Sequence, residues 1–231
     1  MHLRPRKEEC CKLRVHDKIM QESTAEKYLG DMVSNLGNDE NIEFRLKIGE
    51  QATSEILSVL REIEIGGFYI KNGLIFRNAV LKCKILLNSE VWHSLTAKQV
   101  TQLEDIDKNY LRRILHSHSK VAIECLYFET GFLPYKYEIM LRRILYWWKL
   151  LHKNESELIH RVYESQRQSS CQGDWVRLLD SDKDTLGITF CDIEVQALSR
   201  NKFKKIIKSK VEQFALFEMN ELKRKHKNQH I

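Results

Sequence analysis

The chain has 231 residues, of which 42% are apolar and 30% are charged, and it contains only nine glycines and two prolines. This length and apolar fraction suffice for a packed domain and exclude general disorder and collagen-like repeats. So few turn-forming residues also exclude an all-β fold made of many short strands. The composition therefore predicts a mainly helical protein.

The formal net charge of +6 is unevenly distributed along the chain. Residues 200–227 contain ten Lys or Arg and three Glu, a local net charge of +7, so the remainder carries −1. A basic segment of this kind is typical of contact with a polyanion such as nucleic acid or an acidic membrane surface. A charged helix that is simply solvated is the alternative interpretation, and the charge pattern leaves both open.

Compartment and redox state can be predicted from the absence of certain patterns. No stretch approaches the roughly 18 apolar residues of a transmembrane helix, and the N-terminal segment lacks the apolar core of a signal peptide. The six cysteines show no C-x-x-C spacing and two of them are adjacent, which favours reduced thiols over a disulfide framework. We therefore expect an intracellular protein, nuclear or cytoplasmic, without a membrane partner.

The first 37 residues predict a small β fragment. Residues 12–15 and 18–20 form two short strands around a turn, and residues 26–34 are predicted as a third strand. Three short strands bury too little apolar surface to fold alone, so we expect this fragment to belong to a larger sheet.

From residue 39 onward, apolar residues recur at helical spacing. Helices are predicted from residue 39 to the Gly66-Gly67 pair, across the apolar stretch 74–92, and from a Thr96 cap to Ile114. The stretch 74–92 is apolar almost all round and is expected at the centre of the core. Further helices are predicted near 121–130, 134–152, 154–168, 174–184 and 199–225.

The predicted fold class is mainly α, a helical bundle-like arrangement preceded by a β fragment of two to three strands. Three regions are predicted: the β fragment 1–37, a helical domain 38–168, and a C-terminal helical segment 169–231 with a basic final helix. The apolar stripe of that helix comprises Phe203, Ile206 or Ile207, Val211, Phe214, Phe217 or Leu216, and Leu222. Its three phenylalanines exceed what a solvated helix requires, so a protein partner at this helix is an open alternative.

No complete catalytic or metal site can be assembled from the sequence. Phosphate-binding loops, dinucleotide fingerprints and nucleophile elbows are absent. Asp180, Asp182 and Asp184 have the opening spacing of a calcium loop, but Thr185 and Cys191 stand where that loop needs Gly and Glu. Neither histidine nor cysteine has the spacing of a structural zinc site. We expect no catalytic residue, no metal and no other cofactor in this chain.

Acidic residues on the predicted third helix provide no acid–base pair. Glu104, Asp105 and Asp107 are neighbours on a helix, where successive side chains point in different directions. We expect all three at the surface.

Two arginine doublets are more informative. Arg112-Arg113 and Arg142-Arg143 each lie within a predicted helix, and Tyr146-Trp147-Trp148 follows the second. Guanidinium groups bind phosphates, and exposed aromatic rings stack on bases or sugars. In the alternative interpretation, a tryptophan fills the core and one arginine of each doublet pairs with an acid.

Several short segments occur in a fixed order along nearly the whole chain. They are Leu13-Arg14-Val15-His16, Glu26-Lys27-Tyr28-Leu29-Gly30-Asp31, Asn41-Ile42 with Arg45 and Lys47-Ile48-Gly49, Arg77-Asn78-Ala79-Val80-Leu81, Ser89-Glu90-Val91-Trp92, Leu103-Glu104-Asp105-Ile106-Asp107 with Leu111-Arg112, Leu126-Tyr127 with Glu129-Thr130-Gly131 and Leu133-Pro134, Arg142-Arg143-Ile144, and Asp174-Trp175-Val176. In this order they resemble the end of the palm, the thumb and the C-terminal region of reverse transcriptases from non-LTR (LINE-type) retrotransposons.

The resemblance implies roles for particular residues. In that family the K-Y-L-G segment lies on a strand near the primer, which implies a primer grip at Lys27, Tyr28, Leu29 and Gly30. A glycine there would let another backbone approach closely. The helices that follow would form the thumb and hold the template–primer duplex. Nucleic-acid contacts are then expected from Arg45, Lys47, Arg112, Arg113, Arg142 and Arg143 in the thumb and from Lys202, Lys204, Lys205 and Lys208 in the basic tail.

The chain also departs from the family in one respect. The polymerase site needs an aromatic-x-Asp-Asp strand and a partner Asp to hold two metal ions, and this chain has no Asp-Asp dipeptide. The fingers and catalytic palm would lie upstream, so we expect a C-terminal fragment that is inactive alone, although the parent polymerase would use Mg²⁺. The expected partners are RNA, DNA or an RNA–DNA hybrid. A non-enzymatic helical protein-interaction module and a decayed element without function are the alternatives.

Overall fold

The computed structural model describes residues 14–15, 18–19, 25–28, 30–34, 38–63, 68–92, 95–168 and 175–228. The strands are β1 (Arg14–Val15), β2 (Lys18–Ile19), β3 (Ala25–Tyr28) and β4 (Asp31–Ser34). The helices are α1 (Asp39–Ile63), α2 (Tyr69–Phe76), α3 (Lys82–Ile85), α4 (Ala97–Ile114), α5 (Ile123–Thr130), α6 (Tyr135–Leu151), α7 (Leu158–Gln168), α8 (Trp175–Thr185), α9 (Asp192–Ala197) and α10 (Arg200–Asn228). A π-helical turn (Arg77–Leu81) joins α2 to α3, and a 3₁₀ turn (Ser89–Val91) follows α3. The predicted fold class is confirmed: the protein is mainly α with a small β fragment at its N-terminal end.

The β fragment consists of two antiparallel hairpins, β1–β2 and β3–β4. The single strand predicted over residues 26–34 is wrong, because the chain reverses between Tyr28 and Asp31. Gly30 has φ +84°, a left-handed conformation that glycine adopts without the steric cost of a Cβ. Among the described residues, the contact that a Cβ on Gly30 would make is with the Leu87 side chain, at 3.6 Å. Gly30 therefore serves the turn and not the close backbone approach that was expected.

Several helix ends follow from local sequence signals. Thr96 and Gln99 form a capping box at the start of α4, in which Thr96 Oγ1 accepts from the Gln99 N–H at 3.2 Å and Gln99 Oε1 accepts from the Thr96 N–H at 2.8 Å. Gly131, with φ +66°, ends α5, and Pro134 precedes α6. The predicted stops at Gly66-Gly67 and at residues 169–174 lie outside the described residues.

The apolar stretch 74–92 differs from the single central helix that was expected. Its helical part ends at Ile85, and Asn88 at φ +56° turns the chain into the 3₁₀ turn. The π-helical turn adds a residue to one turn and so rotates the helix face. Leu81 and Ile85 are fully buried, whereas Ile75 is 53% exposed. The stretch therefore has a solvent-facing side.

The core is organised around α6, which packs against α4, α8, α9 and α10. Trp147 is fully buried and lies edge-on to Phe203 with ring centroids 6.1 Å apart, and Tyr163 lies edge-on to Trp175 at 6.4 Å. These four rings come from both sides of the boundary predicted at residue 168, and one hydrophobic core contains them all. No described helix combines the length and apolar character needed to cross a membrane.

The buried row of α10 follows a four-residue period, which is the row a helix presents when it packs along another helix. Its members are Phe203, Ile207, Val211, Ala215 and Met219. The predicted stripe is right in its first half and wrong beyond Phe214. Phe217 is 62% exposed and Leu216 and Leu222 are also exposed, because the row that faces α6 passes through Ala215 and Met219.

Candidate nucleic-acid interface

The predicted basic residues of α10 lie on its solvent side. Because the buried row faces α6, Lys202, Lys204, Lys205 and Lys208 are all exposed. Lys208 forms an ion pair with Glu212 at 3.5 Å one helical turn later. Among the described residues, no carboxylate lies within ion-pair distance of the other three lysines. These three ammonium groups are therefore available to an anionic partner.

A groove of about 220 Å³ lies between α6, α10 and the 3₁₀ turn. The described residues that line it are four cationic side chains, Arg142, Lys149, Arg200 and Lys204, three aromatic ones, Tyr146, Trp148 and Phe203, then Leu145, and one acid, Glu90. We call it the basic-aromatic groove. Cations and aromatic rings are the side chains that contact phosphates and stack on bases.

Several side chains of the groove are held in place by contacts to the fold. Arg142 Nη1 donates to the Leu86 carbonyl at 2.5 Å, which uses one of the five N–H donors of its guanidinium. Trp148 Nε1 donates to the Leu198 carbonyl at 2.9 Å, and the indole stacks on His152 at 3.8 Å. Burial raises the pKa of the Tyr146 phenol, so this ring stays neutral at physiological pH. Arg142 and Trp148 are thus held by hydrogen bonds to the fold, and the Tyr146 ring lies edge-on to Trp175 with ring centroids 5.7 Å apart.

The two arginines of the 142–143 doublet have different roles. Arg143 is buried, and its guanidinium pairs with Asp182 at 2.5 Å, which joins α6 to α8. Burial raises the pKa of Asp182, although Arg143 opposes that rise. The structure therefore places Arg142 on the groove and commits Arg143 to the interior. The prediction that Arg143 contacts nucleic acid has no support in its position.

The tryptophans that follow this doublet divide in the same way. Trp147 fills the core and donates from Nε1 to the Tyr163 hydroxyl at 3.1 Å and to Asp192 at 3.2 Å. Trp148 is half-buried and lines the groove. The core interpretation is therefore confirmed for Trp147, whereas stacking of Trp148 on a base or sugar stays a prediction.

The other doublet lies at the end of α4. Arg112 is half-buried and its Nη2 donates to the Val121 carbonyl at 3.5 Å, whereas Arg113 is exposed. Neither residue lines the basic-aromatic groove.

The primer-grip residues implied by the resemblance lie on the β3–β4 hairpin. Lys27 and Tyr28 are exposed on β3, and Tyr28 is 66% exposed. The Lys27 ammonium lies 5.0 Å from the centroid of the Phe44 ring. Leu29 is outside the described residues, and Gly30 occupies the turn.

Arg45 and Lys47 on α1 lie close in sequence but in different environments. Arg45 is 2% exposed, and its guanidinium donates to the Gly30 carbonyl at 2.7 Å, to Asp31 at 2.7 Å and to the Lys84 carbonyl at 3.3 Å. It therefore fastens the hairpin to α1 and α3 and is not free for a phosphate, contrary to the prediction. Lys47 is exposed and pairs with Glu43 at 2.8 Å.

Sequence reasoning missed Lys149 and Arg200, which line the basic-aromatic groove. Arg142, Tyr146 and Lys149 follow one another at steps of four and three, which puts them on one face of a helix, and Arg200 precedes Lys204 by four residues. This spacing could have identified each half of the groove, but not that α6 and α10 pack side by side.

Acidic and metal-ligating residues form no further site in the described part of the chain. There, no group of three or more His, Cys, Asp or Glu side chains is arranged to hold a metal ion. Asp180 lies near Lys183 and Asp182 pairs with Arg143. Asp107, which was expected at the surface, is fully buried, so that prediction is wrong.

Comparison of the chain with protein-family models, with curated proteins and with solved structures gives no match. The resemblance to non-LTR reverse transcriptases therefore stays a prediction based on the residues themselves.

Proposed function

We propose that this protein binds nucleic acid through contacts to the phosphate backbone, using the basic-aromatic groove and the exposed lysines of α10. The observation that carries the proposal is the convergence of four cationic side chains and two positioned aromatic rings from two packed helices on one groove. A charged helix that is simply solvated would not require cationic and aromatic side chains of two helices to line one groove.

The residue types suit binding that does not depend on base sequence. Arg142 and Arg200 present planar guanidinium groups that match phosphate oxygens, and Lys149 and Lys204 supply point charges. Trp148 can stack on any base or sugar, because every base has an aromatic face. Most of the affinity then comes from phosphate neutralisation and counterion release.

We further propose that the chain corresponds to the thumb and C-terminal region of a non-LTR retrotransposon reverse transcriptase, with an RNA–DNA template–primer as its ligand. The support is the ordered series of family-like segments together with a helical bundle that follows a β fragment. Since the chain has no Asp-Asp dipeptide, the purified protein should not extend a primer with Mg²⁺ and deoxynucleotides. Primer extension would contradict this part of the proposal.

Binding of a fluorescent RNA–DNA hybrid at several salt concentrations tests the proposed function. The logarithm of the binding constant should fall linearly with the logarithm of the salt concentration, with about one unit of slope per phosphate neutralised. Absence of binding at low salt, or affinity that is independent of salt, would contradict nucleic-acid binding through the backbone.

A charge-reversed pair of variants locates the interface. Lys204→Glu with Lys205→Glu should weaken hybrid binding at least about tenfold and reduce the salt slope by about two, equally for all sequences. The matched control is Lys98→Glu with Lys153→Glu, which makes the same charge change at exposed lysines of α4 and of the segment after α6. Equal losses in both double variants would show a general charge effect and contradict the assigned groove.

A protein-binding role is the second candidate function, and one observation favours it. Leu216, Phe217 and Leu222 are exposed apolar residues near the end of α10. Phe203 and Phe214 do not contribute, because they pack on Trp147 and Tyr137. Light scattering distinguishes the candidates: a protein that associates without nucleic acid, and loses the association in Phe217→Ser, supports the second.

A further inference from the structure

A second groove, of about 830 Å³, lies between the end of α1, the start of α2 and the end of α4. The residues that matter for its chemistry are Arg61, Arg112, Arg113, His116, Ser117 and Ser119. We call it the arginine groove. None of the described residues that line it is acidic, so within the described part of the chain three guanidinium groups face one concave surface without a lining carboxylate.

The charges of these arginines are not balanced locally. Within the described ranges, no carboxylate forms an ion pair with Arg61, Arg112 or Arg113. A groove of about 440 Å³ beside α7 provides the contrast, because there Arg161 and Arg167 share the lining with Glu155, Glu164 and Asp192. The linings of these two grooves therefore differ in net charge: carboxylates offset the arginines beside α7, whereas no described residue of the arginine groove is a carboxylate.

The ends of α1 and α4 explain why arginines occur at these positions, but not why these arginines line the same groove. Arg61 lies in the last turn of α1 and Arg113 in the last turn of α4, where cations interact favourably with the helix dipole. Carbonyl groups at the end of α4 are already bonded, since the Arg112 carbonyl accepts from the Ser117 N–H at 2.9 Å. The dipole accounts for each arginine singly and gives no reason for two helix ends to meet at one groove.

His116 adds an oriented donor to the groove. It has φ +49°, a left-handed conformation at the end of a helix where glycine is usual and which costs free energy for other residues. Its ring stacks on Tyr69 with centroids 5.3 Å apart and an interplanar angle of 27°. An imidazole carries at least one N–H, so this ring is a candidate hydrogen-bond donor to an anion in the groove.

We propose that the arginine groove is a phosphate-binding site, separate from the basic-aromatic groove. Guanidinium groups from α1 and α4 bind phosphate oxygens through paired N–H donors, and His116, Ser117 and Ser119 supply further donors beside them. The bound group is either a terminal phosphate monoester or a phosphodiester of a nucleic-acid strand, since both present the same oxygens.

A titration with inorganic phosphate at constant ionic strength tests the site directly. The readout is the NMR resonances of the His116 ring, which should shift and saturate with phosphate and should not respond to chloride. A response that grows linearly without saturation, or that chloride reproduces, would overturn the proposal.

Variants test whether the shift of the His116 resonances with phosphate arises from binding in the arginine groove. Arg61→Gln with Arg113→Gln removes two exposed guanidinium groups and should weaken phosphate binding about tenfold. Arg161→Gln is the matched control, since it removes an exposed arginine that faces carboxylates, and it should leave the response unchanged. Unchanged His152 ring resonances show that each variant is folded. A phosphate response that survives the double variant, or is lost in the control, would count against the site.

Two further ligands identify the source of the phosphate. Tighter binding of thymidine 5′-monophosphate than of a thymidine dinucleotide with one internal phosphodiester assigns the groove to monoesters, and the reverse order assigns it to a strand. The failure of both ligands to compete with inorganic phosphate would overturn the proposal. Lys204→Glu with Lys205→Glu should leave the His116 response intact, so the two proposals can fail independently.

Discussion

Arg77 and Asp107 form an ion pair whose side chains are both fully buried. Arg77 Nε donates to Asp107 Oδ1 at 2.8 Å and Arg77 Nη2 donates to Oδ2 at 2.6 Å. Asp107 Oδ2 also accepts from the Tyr127 hydroxyl at 3.1 Å, and Arg77 Nη2 also donates to the Leu133 carbonyl at 3.2 Å. Burial alone would lower the pKa of Arg77, but Asp107 raises it overall. The pair joins the π-helical turn, α4, α5 and the segment before α6.

Breaking this pair should destabilise the protein strongly. Asp107→Asn should lower the free energy of unfolding by about 3–5 kcal/mol, because it leaves the Arg77 charge buried without a partner. Urea unfolding at neutral pH measures the loss. The double variant Arg77→Met with Asp107→Leu should recover most of it, since both charges are then removed. A loss below about 1 kcal/mol in Asp107→Asn, the scale of an exposed ion pair, would contradict the buried network.

Substitution of Arg45 should affect stability and not binding. Arg45→Met should cost about 2–4 kcal/mol, because the Asp31 carboxylate and the Gly30 carbonyl lose a buried charged donor. The affinity of the folded Arg45→Met protein for an RNA–DNA hybrid should stay within about twofold of the wild-type affinity. If Arg45 contacted a phosphate, loss of that contact would weaken binding by more than this. Urea unfolding and fluorescence anisotropy on the same preparation check both parts. An Arg45→Met protein that keeps wild-type stability but binds the hybrid weakly would contradict this prediction and support a phosphate contact by Arg45.

Substitutions of the two neighbouring tryptophans of α6 should affect different properties, namely stability for Trp147 and nucleic-acid binding for Trp148. Trp147→Phe should lower the free energy of unfolding by about 1–3 kcal/mol through loss of its bonds to Tyr163 and Asp192, with hybrid binding unchanged. Trp148→Ala should weaken hybrid binding about tenfold, the scale of one stacked base, because its ring lines the groove. Unfolding curves and binding isotherms separate the two effects. Equal binding by wild type and Trp148→Ala would remove the ring from the interface.

Ionisation of Glu218 should make the free energy of unfolding depend on pH in the acid range. Burial opposes its ionisation, but hydrogen bonds from Lys136, at 2.7 Å, and from Tyr137 outweigh burial and place the pKa of Glu218 below its ordinary value of 4.5. A carboxylate whose pKa is lowered by folding stabilises the protein above that ordinary value and loses this contribution as pH falls through the folded-state pKa. The contribution of Glu218 is therefore present at neutral pH and lost in acid.

The urea midpoint, followed from neutral pH into the acid range, checks this dependence. Glu218→Gln should lose stability at neutral pH and show a shallower decline in acid than the wild type. Glu212→Gln on the same helix, where the carboxylate pairs only with exposed Lys208, is the matched control and should retain the wild-type slope. Parallel slopes for wild type and Glu218→Gln would contradict the assignment.

Local sequence signals were sufficient for most of the helices, although they did not predict α9 or the π-helical turn. These signals depend on residues within one or two helical turns of each other, so the local sequence contains them completely. They are the capping box of Thr96 and Gln99, the left-handed Gly131 and the four-residue recurrence of apolar residues. The excess of Lys and Arg after residue 199 was visible in the same way. These features predicted the fold class, most helix positions and the exposure of Lys202, Lys204, Lys205 and Lys208.

Only the tertiary structure decided which polar residues are buried and which surfaces meet. Arg45, Arg143 and Asp107 resemble surface residues in the sequence, because burial depends on partners that are distant along the chain, namely Asp31, Asp182 and Arg77. The basic-aromatic groove depends on the packing of α6 beside α10, and the arginine groove on the meeting of the ends of α1 and α4. The sequence by itself determined the helices and the charge each one carries, while the packing determined whether a charge is neutralised inside the protein or presented to a partner.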